Sequence, residues 1–128
     1  MNVRGRWKIT LSLLLASAFG CSKSDLVDVN GMVTWESAAV PHGDIVFVDT
    51  DPHVPSAAGK IVDGAYSFQC KPGKKRIEIK SYRLSGRLTP QGNPIGEMYI
   101  PSRYSSQSEL TADVTEGGDN KFDFSLTP

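Results

Sequence analysis

Apolar and polar residues alternate by twos through most of the chain beyond residue 25. A half-buried strand requires that period. The clearest stretch is Val62 to Tyr82. Tyr66, Phe68 and Cys70 share one face, with Ser67 and Gln69 on the other; Ile77 and Ile79 oppose Arg76, Glu78 and Lys80. Asp63-Gly64 opens this unit, and Lys71-Pro72-Gly73-Lys74 lies between its two strands. Pro presets φ for a turn and Gly supplies a positive φ. The stretch is expected to be a hairpin for which the other strands supply partners.

The flanking pattern is of the same kind. Leu26 to Trp35 predicts a strand with Val27, Val29, Val33 and Trp35 on one face. Gly31 interrupts that face and marks a bulge or a close backbone approach. Asp44 to Val48 predicts a second strand, with both faces apolar, and Gly59 to Val62 a brief one. Arg83 to Ser108 reads as one long loop, because Pro90, Pro94, Pro101, Gly86, Gly92 and Gly96 punctuate it. Loops longer than roughly 12–15 residues are uncommon and are usually functional or mobile. Alternation returns at Glu109 to Thr115 and at Lys121 to Thr127, around Gly117-Gly118-Asp119-Asn120. These two runs are expected to pair as another hairpin. The sum is an all-β domain of about seven short strands, a density of strands and turns that indicates an antiparallel β-sandwich.

Composition adds an address. Arg4, Arg6 and Lys8 precede an apolar run, Ile9 to Gly20, that ends in small residues. A basic flank, a short apolar run and a small-residue cut make a secretory signal. The run is too short to span a bilayer, which takes roughly 20 apolar residues. Two cuts are open: after Ala16-Ser17-Ala18, or just before Cys21. Ala18-Phe19-Gly20-Cys21 resembles a bacterial lipobox, in which the cysteine receives a diacylglyceryl group. Ala18 and Phe19 depart from that motif's preference for Leu and for a small residue. The expected organisation is a signal peptide over 1–20, a tether over 21–25 and one domain over 26–128. Cys21 is the expected lipidation site and Cys70 is expected to stay unpaired. The place is the bacterial cell envelope, at the periplasmic face or the cell surface.

Charge narrows the partners. Basic and acidic residues balance at fourteen each. No basic stripe with interleaved aromatics is present, so nucleic acid is not an expected partner. Two Cys and two His give no zinc spacing, and no metal or cofactor is expected.

Several segments together resemble a carboxypeptidase regulatory-like domain of the transthyretin-like (prealbumin-like) type. They are Val29-Asn30-Gly31-Met32-Val33-Thr34, Asp44-Ile45-Val46-Phe47, Asp63-Gly64-Ala65-Tyr66-Ser67-Phe68, and Lys71-Pro72-Gly73-Lys74-Lys75 running into Ile77-Glu78-Ile79. The chain is also similar to small bacterial surface lipoproteins built from one such domain. Ile100-Pro101-Ser102-Arg103-Tyr104, Ser108-Glu109-Leu110-Thr111 and Phe122-Asp123-Phe124-Ser125-Leu126 carry that likeness. The resemblance implies a seven-stranded Greek-key sandwich and no chemistry, since fold does not confer function.

Candidate sites are few. His42, Asp49, Asp51 and His53 lie close in sequence, but ordinary polar loop composition fits them better than a mixed His and carboxylate metal site or calcium on Asp49 and Asp51. A nucleophile needs a base and an orienter. His42 and His53 are the only imidazoles, and no Gly-x-Ser-x-Gly elbow occurs. Hydroxyisourate hydrolase uses a transthyretin-like fold and ends in Tyr-Arg-Gly-Ser. This chain ends in Ser125-Leu126-Thr127-Pro128, which departs from that signature. Cys70, Tyr66 and Trp35 suit a core. The 83–108 stretch and Tyr82 just before it combine Tyr82, Tyr99 and Tyr104 with Arg83, Arg87 and Arg103, the two residue types enriched where interfaces carry energy. Ile100 and Tyr104 are expected to pin that stretch to the sandwich. The expectation is a non-catalytic, lipid-anchored envelope module that binds a protein or glycan or contributes to the envelope structurally. The alternative is a soluble secreted binder of a small molecule or carbohydrate, and third an enzyme of the hydroxyisourate hydrolase kind.

Overall fold

The computed structural model describes residues 25–128. The leader, both cleavage positions and Cys21 lie outside them. The described chain is all-β. Its strands are β1 (Val27–Trp35), β2 (Ala38–Ala39), β3 (His42–Asp49), β4 (Ala57–Val62), β5 (Ala65–Cys70), β6 (Gly73–Lys80), β7 (Tyr82–Leu88), β8 (Pro94–Met98), β9 (Thr111–Val114) and β10 (Phe124–Leu126). One 3-10 turn, Ser102–Tyr104, precedes β9. Seven strands form the order β10-β1-β5-β4-β3-β6-β9, β2 pairs with β1, and β7 and β8 form a small second sheet.

The alternation reads through to burial. Val29, Val33, Ile45, Phe47, Tyr66, Cys70, Ile77, Ile79 and Phe124 are buried in one core, with Phe68 and Phe122 packed against it. Gly31 is a close approach and not a bulge. A Cβ there would lie 1.8 Å from the Phe122 carbonyl oxygen. Its missing side chain lets the chain before β10 lie beside β1, where Asn30 N–H donates to Asn120 O (3.0 Å) and Phe122 N–H to Asn30 O (2.9 Å).

The expected central hairpin is not formed. β5 pairs with β1 and β4, while β6 pairs with β3 and β9. The tight hairpin is β4–β5, closed by Asp63 and Gly64 with φ of 50° and 83°. Positive φ at both centres is the type I′ geometry that matches strand twist. Lys71 and Pro72 instead carry the chain from β5 to a strand three places away in the sheet. Three flat inter-strand steps cover about 14 Å. Cys70 to Gly73 reaches at most about 11 Å, so the sheet must curl. The aromatic rings agree: Phe47 on β3 meets Phe122 at 6.1 Å and Phe68 on β5 at 4.9 Å, and Tyr66 stacks on Phe124 at 6.5 Å. Phe68 reaches Phe47 over Gly59 of β4, where any Cβ would press on its ring at 2.5 Å.

Two further expectations are corrected. The 109–127 segment is not a hairpin, since β9 pairs with β6 and β10 runs parallel to β1. The Asn120 side chain closes the Gly-rich turn in place of a strand ladder, accepting from Thr115 N–H and donating to Thr115 O, each at 2.9 Å. The stretch after Tyr82 is not one loop, because β7 and β8 pair within it. Most of its prolines and glycines fall where they do little harm: Pro90 and Gly92 in the turn, Pro94 at the head of β8, and Gly86 (φ 80°) at an irregularity, while Gly96 sits within the ladder opposite Leu84. With β2, β7 and β8 the described chain holds ten strands, not seven.

Candidate functional site

The residues singled out over 82–108 fall into two clusters and an outlier. The first sits at the base of the β7–β8 hairpin. Tyr99 packs edge-on against Trp35 with centroids 5.7 Å apart, and Arg83 lies 5.4 Å over its ring. Arg83 also pairs with Glu97 across the ladder at 3.1 Å. The Ser81 hydroxyl donates to His42 O (2.5 Å) and shares a second hydrogen bond with the Tyr99 hydroxyl (3.0 Å). Tyr99 is thus a half-buried pin. Tyr82 pairs with Met98 on the other face of the hairpin and is exposed. Tyr82 and Arg83 are neighbours in sequence with opposite outlooks, as strand alternation demands.

The second cluster closes the C-terminal end. Arg103 donates to the carbonyl oxygens of Thr127 (2.5 Å) and Pro128 (2.7 Å) and lies 4.8 Å over the Tyr104 ring. Thr127 N–H donates to the Tyr104 hydroxyl oxygen at 3.2 Å. Hydrogen bonds from Thr127, then from Arg103, pull the Tyr104 phenol down to about 8. Ile100 is buried, so it does pin the segment. Arg103 and Tyr104 line a groove of about 530 Å³ with Gln107, Glu109 and Leu110. Gln107 and Glu109 were not singled out in the sequence, since only the fold brings them beside Tyr104. The outlier is Arg87, exposed on β7, whose side chain enters neither cluster.

The His and carboxylate group does not assemble. His42 opens β3 and Asp49 ends it, and seven residue steps of strand separate them by roughly 23 Å. Asp49 Oδ1 accepts from Asp51 N–H (2.7 Å) and Asp51 Oδ1 from His53 N–H (2.9 Å), which is turn chemistry. Among the described residues no three His, Cys, Asp or Glu are placed to hold a metal ion.

What sequence reasoning missed is an internal ion pair. Lys75 is in register with Asp49 across β3–β6, donates to its Oδ2, and is almost wholly buried. The Lys75 hydrogen bond, helped by Asp51 N–H, holds the Asp49 carboxyl below the usual carboxylate range. Parity was the available signal, because Lys75 precedes Ile77 and Ile79 on the inward face. Cys70 is free and buried, and burial raises its thiol.

No protein-family model and no curated protein matches the chain. Among solved structures, a 9R-lipoxygenase from Cyanothece PCC8801 is similar at 14% identity and a TM-score of 0.39. The match covers 84% of this chain and spans 17% of the lipoxygenase.

Proposed function

We propose that this chain is a non-catalytic module of the bacterial cell envelope, a transthyretin-like Greek-key sandwich tethered through a lipidated Cys21. The sandwich reading is supported by strand order. β3, β4 and β5 follow one another in the sheet and β6 returns beside β3, the spatial order of a Greek key. The functional reading rests on one observation, the separation of the two ends of β1. The chain enters at Val27, while Trp35 at the far end carries Tyr99 and the hairpin base. Nine residues of strand place these ends about 27 Å apart. A tether before residue 25 would therefore present the hairpin away from the membrane, where a protein or glycan could reach it.

The test is fractionation of cells carrying the wild type or Cys21→Ala. The wild type is expected in the membrane fraction and the variant in the soluble one. Equal solubility would sink the anchor.

A second reading is a soluble secreted domain that binds a carbohydrate or small molecule. The groove beside Tyr104 favours it, being an open volume of about 530 Å³ lined by one aromatic and several polar side chains. Titration with a panel of oligosaccharides decides it: heat of binding that Gln107→Ala and Glu109→Ala remove supports this reading.

A further inference from the structure

We infer that the apolar face of the β7–β8 hairpin is a self-association surface that docks on a second copy of this chain. The inference stands whether or not Cys21 carries lipid. A two-stranded hairpin is marginal in water unless something covers a face. In the ladder, Tyr82 opposes Met98, Leu84 opposes Gly96 and Leu88 opposes Pro94. The irregularity between Leu84 and Leu88 adds two residues to β7, so alternation resumes in phase and all six share one face. That face is open: Leu84 is 73% exposed, Leu88 63% and Tyr82 50%. Val62, at the end of β4, continues it at 62%.

The same surface also holds a receptor. Tyr82 and Val62 line a groove of about 270 Å³ with His42, Gly43 and Ile61. Knob and hole thus belong to one continuous patch, with Tyr82 common to both. A two-fold axis would seat the leucines of one copy in the groove of the other and repeat the contact in reverse, as an isologous interface requires. The rim does not oppose the approach. Asp44 and Lys60, which also line the groove, pair with each other at 2.5 Å, and Arg83 pairs with Glu97 at 3.1 Å on the hairpin. These two pairs are matched within one chain, and Arg87 falls on the opposite face of β7 from Leu88, so two such patches meet without net repulsion. These exposed side chains offer on the order of 500 Å² per copy, within the range of the largest patches on monomers, which are often functional. A standard interface buries about 800 Å² per partner. The dimer is therefore expected to be weak, dissociating at micromolar concentrations.

The test combines sedimentation of the purified chain with photo-crosslinking. Wild type is expected to shift from monomer to dimer across the micromolar range. Leu84→Asp and Leu88→Asp are each expected to weaken the dimer by at least about tenfold, because a carboxylate would be buried unpaired. A photoreactive phenylalanine at position 84, in an otherwise unchanged chain, is expected to crosslink to the 42–62 segment of another copy. That arm stands even if an aspartate variant fails to fold. A monomer at every concentration, or adducts only to lipid or to a different protein, would overturn the proposal.

Discussion

Lys75 and Asp49 face each other in register across the β3–β6 ladder, and both side chains are buried. The pair sits at the end of the core where the chain crosses from β5 to β6. A buried ion pair is weak support for stability in itself, yet stranding one member is costly. Asp49→Asn or Lys75→Ala is expected to lower the melting temperature clearly. Asp49→Leu combined with Lys75→Met is expected to recover much of that loss, because no charge is left uncompensated. A double-mutant cycle on thermal unfolding measures the coupling. Additive effects would mean that the two residues do not act as a pair.

Acid sensitivity follows from the same contact. The folded-state pKa of Asp49 is lowered, so its contribution is fully present above the unfolded carboxylate value of about 3.9. It is lost as pH falls through the lower folded value. Wild type is expected to lose more melting temperature below about pH 4 than the Leu/Met double variant. Parallel acid profiles would contradict this.

Gly31 is fixed by its surroundings. A methyl group would collide with the Phe122 backbone, which cannot give way without parting β10 from β1. Gly31→Ala is expected to cost on the order of 3 kcal/mol in urea unfolding, at the upper end for overpacking. Gly117→Ala meets no atom within 4 Å, although its φ of 76° adds backbone strain. Its cost is expected to be nearer about 1 kcal/mol.

The hydrogen bonds around Tyr104 are visible to titration. Its phenol lies near 8, against an ordinary value of 10.0. Ultraviolet titration is expected to show one tyrosine ionising early, and Tyr104→Phe to remove that phase. With the folded value below the unfolded one, this group adds stability as pH rises from about 8 to about 10. Arg103→Ala is expected to move the early phase upward.

Strands were legible where one face meets the core, as at Val29 and Val33 or Tyr66 and Phe68. Partners were less legible. Lys71-Pro72-Gly73 has the chemistry of a turn, but whether a turn closes a hairpin or crosses between distant strands depends on the curl of the sheet. The same holds for Gly117-Gly118, where the Asn120 side chain does the closing. Gly31 announced either a bulge or a close approach, and nothing in the sequence named Phe122. Glu36 and Ser37 turn β1 into β2 with φ of 48° and 68°, and neither is a residue that advertises positive φ. The β7–β8 hairpin was hidden because exposed Leu84 and Leu88 alternate with Ser85 and Arg87 among turn residues. Of the candidate site, Tyr99, Arg83, Arg103 and Tyr104 do meet partners, but in two places. Gln107 and Glu109 carry no sequence signal, since their groove exists only after folding.

The most direct measurement is the intact mass of the mature N-terminus, taken from the membrane fraction. A tethered domain is expected to begin at Cys21 and to carry a diacylglyceryl group with its acyl chains. An unmodified chain beginning at Phe19 would contradict the tether and leave a freely secreted domain in its place.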